Sequence, residues 1–150
     1  MTGSGDNSLF IAKYTSCSVD AVDLCFDVLT WDSSPLAGRT YDVVLDSGLL
    51  HCLGPPARPA YLAALQRVLK PGGTLYVLAL SDKETSPGGP SRVSREDLEG
   101  LLSPAAGWEL QYVKPHFWEL HPTFWGGKGR AYLAAAQRPA AAAPAAPAGQ

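Results

Sequence analysis

Two apolar runs separated by a helical pattern decide what this chain can fold into. The first, "YDVVLDSGLL" (Tyr41 to Leu50), places Val43, Val44 and Leu45 in succession and closes on Asp46, Ser47 and Gly48. The second, "TLYVLALSD" (Thr74 to Asp82), is again continuous and again ends in small and acidic residues. Between them "RPAYLAALQRVLKPGG" sets Tyr61, Leu62, Leu65, Val68 and Leu69 at helical spacing and stops at Lys70, Pro71 and Gly72. Runs without polar alternation are strands with both faces covered, and a helix between two of them brings the second back parallel to the first. The expectation is two adjacent parallel strands, from Tyr41 and from Thr74, with a helix from Arg58 to Lys70 across one face.

The remaining segments extend this pattern. Ser94 with Asp97 makes an imperfect capping pair ahead of a helical face of Leu98, Leu101 and Leu102. "GWELQYVKP" (Gly107 to Pro115) comes close to the two-residue alternation of a half-buried strand. "RAYLAAAQR" (Arg130 to Arg138) is open to two readings, helix by its alanine content or short strand by its place after a glycine-rich loop. "PAAAAPAAPAGQ", from Pro139, has no side chain large enough to bury and reads as a disordered tail. Alternating buried strands and helices give an α/β class with a mostly parallel sheet.

Composition narrows the function. A chain of 150 residues is long enough for one domain with a real core. Twelve basic against 14 acidic residues leave a formal charge of -2, which argues against general nucleic-acid binding or a membrane surface held by basic charge. Small-molecule or protein partners are expected. Cys17, Cys25 and Cys52 show neither a zinc spacing nor a disulfide framework, so no metal is expected and the thiols read as reduced. No apolar run approaches the ~18 residues of a membrane span, and no leader pattern opens the chain. The expectation is a soluble, cytoplasmic protein.

Ligands of open parallel sheets bind beyond the carboxyl ends of the strands. Asp46, Ser47, Gly48 and His51 after the first run, and Ser81 and Asp82 after the second, are therefore candidates. The competing reading is that Asp46 and Asp82 only cap turns. Near the start, "TGSGDNSLFIAK" resembles a glycine turn opening a helix, with Gly3 and Gly5 free to approach a ligand. Asp23 follows Gly3 by 20 residues, which matches the ~20-residue spacing of an acid that reaches ribose hydroxyls. A flexible glycine-serine start followed by a solvated acid explains the same residues.

"YDVVLDSGLLHCL" followed by "VLKPGGTLYVLALSD" resembles the fourth and fifth strands of the class I S-adenosylmethionine-dependent methyltransferases, in the subgroup acting mainly on small molecules. The resemblance runs from Gly3 to about Arg138, with "SREDLEGLL" and "GWELQYV" similar to the late helix and sixth strand. It implies a Rossmann-like, mostly parallel sheet with an antiparallel last strand, over residues 1–138. By the same resemblance the cofactor is S-adenosylmethionine, held by the glycine turn (Gly3, Gly5), by Asp23 at the ribose, by Asp27 and Val28 at the adenine, and by Asp46, Ser47 and Gly48 at the methionyl end.

Two departures stand beside the matches. Only Met1 and Thr2 precede the glycine turn, where the family has its first strand. Asp23 and Asp27, which belong at the ends of two different parallel strands, are separated by Leu24, Cys25 and Phe26, and a parallel crossover needs a dozen or more residues. The chain reads as a methyltransferase lacking its first strand and one helix-strand unit, as an alternative transcript or an imperfect gene model produces. The segment from Val19 to Val28 is then expected to cover the free edge of the Tyr41 strand.

Methyl transfer from a sulfonium is an in-line displacement, so alignment and exclusion of water matter more than an enzyme nucleophile. If a base is used, His51 is best placed. Topology makes "RAYLAAAQR" the seventh strand and sets "KPHFWELHPTFWGGKG" (Lys114 to Gly129) over the site as an aromatic wall of Phe117, Trp118, Phe124 and Trp125, with His116 and His121 as polar points. Local packing of those aromatics is the alternative. Two other functions stay open: a non-catalytic remnant acting through protein contacts, and a nicotinamide-dependent oxidoreductase, which shares the glycine turn but lacks the "LKPGG" signal.

Overall fold

A computed structural model describes residues 37–140 of the chain. Strand β1 (Tyr41–Ser47) leads through two short 3-10 turns, Leu50–Cys52 and Pro55–Ala57, into helix α1 (Arg58–Val68). Strand β2 (Leu69–Leu80), helix α2 (Arg95–Leu101), strand β3 (Glu109–Glu119) and strand β4 (Lys128–Gln137) follow. The sheet order is β1-β2-β4-β3; β1 and β2 are parallel, and β4 is antiparallel to both its neighbours. β1, β2 and β3 therefore point the same way, with β4 returning between β2 and β3. This is the α/β sheet with an antiparallel last strand that the sequence led us to expect.

Local chemistry sets most of these boundaries. The Leu69 amide closes α1 on the Leu65 carbonyl, and the Arg138 guanidinium covers the Gln66 and Leu69 carbonyls left without helical partners. The helix thus ends two residues before the expected Lys70. "KPGG" joins β2 instead of standing apart as a turn, because the Gly72 amide donates to the Arg138 carbonyl and the Arg138 amide to Gly73. A β-carbon at Gly73 would lie 2.9 Å from the Lys70 carbonyl and 3.0 Å from that of Asp42, so only glycine lets β1 and β2 approach here. At α2 the capping box is complete: Ser94 Oγ accepts from the Asp97 amide at 3.0 Å and Asp97 Oδ2 from the Ser94 amide at 3.1 Å.

Register assigns the faces. Leu75, Val77 and Ala79 of β2 lie across from Ala136, Ala134 and Tyr132 of β4, and these residues are buried with Leu62 and Leu65 of α1, Leu98 of α2, Leu102 and Trp108. The alanines of "RAYLAAAQR" work as small core residues in a central strand, which overrides their helix propensity. On the opposite face Tyr76, Leu78 and Leu133 are half-buried, and Val43 and Leu45 are 50% and 57% exposed. Among the described residues the helices cover one face, and β1 has no second neighbour. The segment from Val19 to Val28 expected at that edge lies outside the described residues.

Candidate active site

The shared direction of β1, β2 and β3 brings their carboxyl ends, and the loops after them, to one end of the sheet. Gly3, Gly5, Asp23, Asp27 and Val28 lie outside the described residues; Asp46, Ser47, Gly48, His51 and the four aromatics lie at this end. Asp46 is buried and its carboxylate faces inward. Oδ1 accepts from the Leu49 amide at 2.7 Å, and Oδ2 from the Leu50 amide at 3.0 Å and the Tyr61 hydroxyl at 3.1 Å. Burial pushes this carboxyl above the usual range, against the pull of those donors. Asp46 thus shapes the loop that carries Ser47, which is exposed, and Gly48.

Gly48 has φ +99, and a β-carbon there would lie 2.4 Å from Trp118 Cη2 and 3.3 Å from His51 Nε2. Trp118, half-buried on β3, lays its ring into the notch that the missing side chain leaves. Its ring centroid is 4.7 Å from that of His51, at a tilt of 51°. Gly48→Ala is expected to cost about 1–3 kcal/mol, through the left-handed backbone and the displaced indole. Chemical denaturation, with the Trp118 indole signal followed by NMR, checks this; a variant of wild-type stability with an unmoved indole would contradict it.

His51 is almost fully buried, and its Nδ1 accepts a hydrogen bond from the Leu80 amide at 2.9 Å. Burial first, then Arg58 and Arg92, push the imidazole down to about 4. The His51 carbonyl accepts from Ser91 Oγ at 2.6 Å, and Ser91 Oγ accepts from Arg58 Nη2 at 3.1 Å, so the loop after β2 is tied to the loop after β1. Ser81 Oγ donates to the Arg130 carbonyl at 3.1 Å, while Asp82 pairs with Lys83 at 2.7 Å.

The loop between β3 and β4 is shorter than Lys114 to Gly129. Pairing continues through Phe117 with Arg130, Trp118 with Gly129 and Glu119 with Lys128, which leaves only residues 120–127 between the strands. Trp125 has φ +46, the one positive value at a non-glycine among the described residues. Its Nε1 donates to the Pro87 carbonyl at 3.2 Å, the Arg92 guanidinium lies 5.2 Å from its ring, and a β-carbon at Gly89 would lie 2.8 Å from its Cη2. The two tryptophans fasten the hairpin end to the loops after β1 and β2. Phe117 and Phe124 stay open, 56% and 52% exposed. His121 Nδ1 meets Thr123 Oγ1 at 2.8 Å, and His116 is exposed.

Four contributors escaped the sequence reading. Tyr61 and Arg58 looked like ordinary helix residues. Arg92 donates to the carbonyls of Glu84, Ser86, Gly88 and Pro90 and so organises the turn-rich loop, while Glu84 accepts from the Arg130 and Ser86 amides and is pulled down to about 2. The density of glycine and proline in "KETSPGGPSR" was the available signal for a loop needing such a hub. Two open clefts of about 320 and 260 Å³ border α1 near Gln66 and near Trp108, and neither contains a residue of these three loops. Among the described residues no cluster of metal-ligating side chains occurs, and no helix is long and apolar enough to cross a membrane.

The sheet and the loops at its carboxyl end define a Rossmann-like fold of the class I methyltransferase type. The model of the thiopurine S-methyltransferase family matches residues 6–120, and the chain belongs to that family. It is 31% identical over 78 residues to a probable thiol methyltransferase 2 of Arabidopsis thaliana, a match covering 52% of this chain and 33% of the plant protein. Among solved structures, an S-adenosylmethionine-dependent methyltransferase of Methanosarcina mazei superposes with a TM-score of 0.58 at 16% identity, over 74% of this chain and 65% of that one. A Burkholderia thailandensis 1,6-didemethyltoxoflavin-N1-methyltransferase with bound S-adenosylhomocysteine gives 0.54 at 21% identity, over 77% and 50%. The chain thus spans about a third of the plant relative's length and half to two thirds of these structures.

Proposed function

We propose that the protein transfers a methyl group from S-adenosylmethionine to a small-molecule acceptor. The observation that carries this reading is the convergence of the three loops at one end of the sheet, where Ser47, Phe117 and Phe124 are exposed and Trp118 fills the Gly48 notch. Exposed Ser47 and the backbone at Gly48 fit the methionyl end of the cofactor, which when bound supplies an electrophilic methyl group. Asp46 would act there through the shape of its loop, since its oxygens are already taken. Gly3, Gly5, Asp23, Asp27 and Val28 are proposed for the rest of the cofactor. Phe117 and Phe124 offer open apolar faces to the acceptor, while Trp118 and Trp125 hold that wall in place and keep water out. A thiol is the first acceptor to try, on the strength of the plant relative's name. The catalytic unit is proposed to end near Arg138, where the chain ties off α1, and thiols without a disulfide spacing support a cytoplasmic setting.

The spacing of Asp23 and Asp27 weakens cofactor binding. With three residues between them both acids cannot reach their stations, and losing one charge-assisted anchor costs about 1.5–3 kcal/mol, roughly tenfold to more than a hundredfold in affinity. Calorimetry on the whole chain is expected to show binding weaker than micromolar, and mass spectrometry to show slow methylation of a low-molecular-mass thiol at millimolar cofactor. Micromolar binding that disappears in Asp23→Ala would overturn the spacing argument. No methylated product across thiol, amine and ring-nitrogen acceptors would overturn the proposed activity and favour a non-catalytic protein acting through contacts.

A further inference from the structure

We propose that His51 is a positioning residue of this site, a neutral imidazole that joins the end of β2 to the loop after β1 and carries Trp118, and that it does not serve as the base. The proposal rests on reading this end of the sheet as the acceptor site. An amide N–H can only donate, so the bond from Leu80 at 2.9 Å fixes a lone pair on Nδ1 and leaves the ring proton on Nε2. Nε2 is the nitrogen on the Gly48 side, 3.3 Å from the position of a β-carbon there and next to the Trp118 ring. A base at that nitrogen would need the other tautomer, whose Nδ1–H would be driven against the Leu80 N–H in a buried place, or a proton gained to give imidazolium with the same opposition of donors.

The surrounding charges favour the neutral form as well. Arg58 of α1 and Arg92 of the loop after β2 both oppose a positive imidazole, while Trp118 of β3 brings no charge. On the turn itself, the Cys52 thiol donates to the Gly48 carbonyl and is pushed up by burial and by Asp46. The Asp46 carboxylate is taken by Leu49, Leu50 and Tyr61 and does not bond the ring. The imidazole therefore acts through Trp118. One edge grips the backbone where β2 ends, and its face supports the indole that fills the Gly48 notch. The acceptor must bring its own lone pair.

Long-range nitrogen-proton NMR on the whole chain with labelled histidine tests this without turnover. His51 is expected as the Nε2–H tautomer, neutral from pH 5 to 8; a midpoint between 6 and 7, or a proton on Nδ1, would overturn the proposal. Two variants separate its contacts: His51→Asn keeps an acceptor for the Leu80 amide and loses the ring, and His51→Phe keeps a ring and loses the acceptor. The Trp118 indole signal is expected to shift in His51→Asn, and an unmoved signal in a folded variant would overturn the positioning role. Where turnover is measured, His51→Asn should raise the acceptor KM about tenfold, with kcat within a few-fold and the pH profile unchanged. A hundredfold fall in kcat with loss of a pH limb near 6.5 would restore the base. Absence of turnover bears on the proposed activity, and the NMR results still decide the part played by His51.

Discussion

Asp46→Ala is expected to lower stability by about 3 kcal/mol, because it leaves the Leu50 amide and the Tyr61 hydroxyl buried, and the Leu49 amide part-buried, without their acceptor. Asp46→Asn keeps one acceptor oxygen and can donate to Tyr61, so it should lose about half as much. Burial raises the Asp46 carboxyl in the folded state above its unfolded value. The sign follows: the contribution of this ionisation is most favourable below the ordinary carboxylate range and declines as pH rises through the raised value. The alanine variant should therefore be compared with wild type at one fixed pH. Urea midpoints at constant slope measure the difference; a loss under 1 kcal/mol would show that the loop after β1 is held by something else.

Acidification should weaken the fold through His51 at a higher pH than through Glu84. Its imidazole is pushed from 6.5 down to about 4 in the folded protein, so the unfolded chain binds the proton first. The stability that comes from keeping it neutral is complete above about pH 6.5 and disappears as pH falls toward 4, a change of about 3 kcal/mol. Glu84, lowered to about 2, acts in the same direction further down, from about pH 4.5 to 2, and its share is small because solvent screens it. Asp46 acts in the opposite direction, so the difference between wild type and His51→Asn isolates the histidine. Urea unfolding at pH 7, 5.5 and 4 is the measurement. Equal acid losses in the two proteins would show that His51 is not held neutral.

How far the sequence reaches differs between residues only a few positions apart. The run from Val43 to Leu45, the helical spacing from Tyr61 to Val68 and the Ser94–Asp97 box are local patterns, and each became the expected element. His51 was legible as a residue beyond the carboxyl end of β1 and illegible in its chemistry, because the amide that bonds its ring belongs to Leu80. Phe117 and Trp118 look alike in the chain. Strand alternation sends them to opposite faces, and only Trp118 finds the Gly48 notch.

By itself the sequence determined the strand-helix-strand unit, the parallel pairing it imposes and the family resemblance, since all of these rest on periodicity and short motifs. Topology had already made alanine-rich "RAYLAAAQR" a strand against its helix propensity, and the tertiary structure supplies the reason: the slot between β2 and β3 offers partners on both edges and a face against Trp108 and Leu98 that suits small side chains. Tertiary structure alone decided that Asp46 faces Tyr61, that the His51 ring meets the Leu80 amide, and that two of the four aromatics lock the hairpin while two remain open. These depend on contacts between residues distant in the chain, and burial changes what a carboxylate or an imidazole does without changing the letter that encodes it.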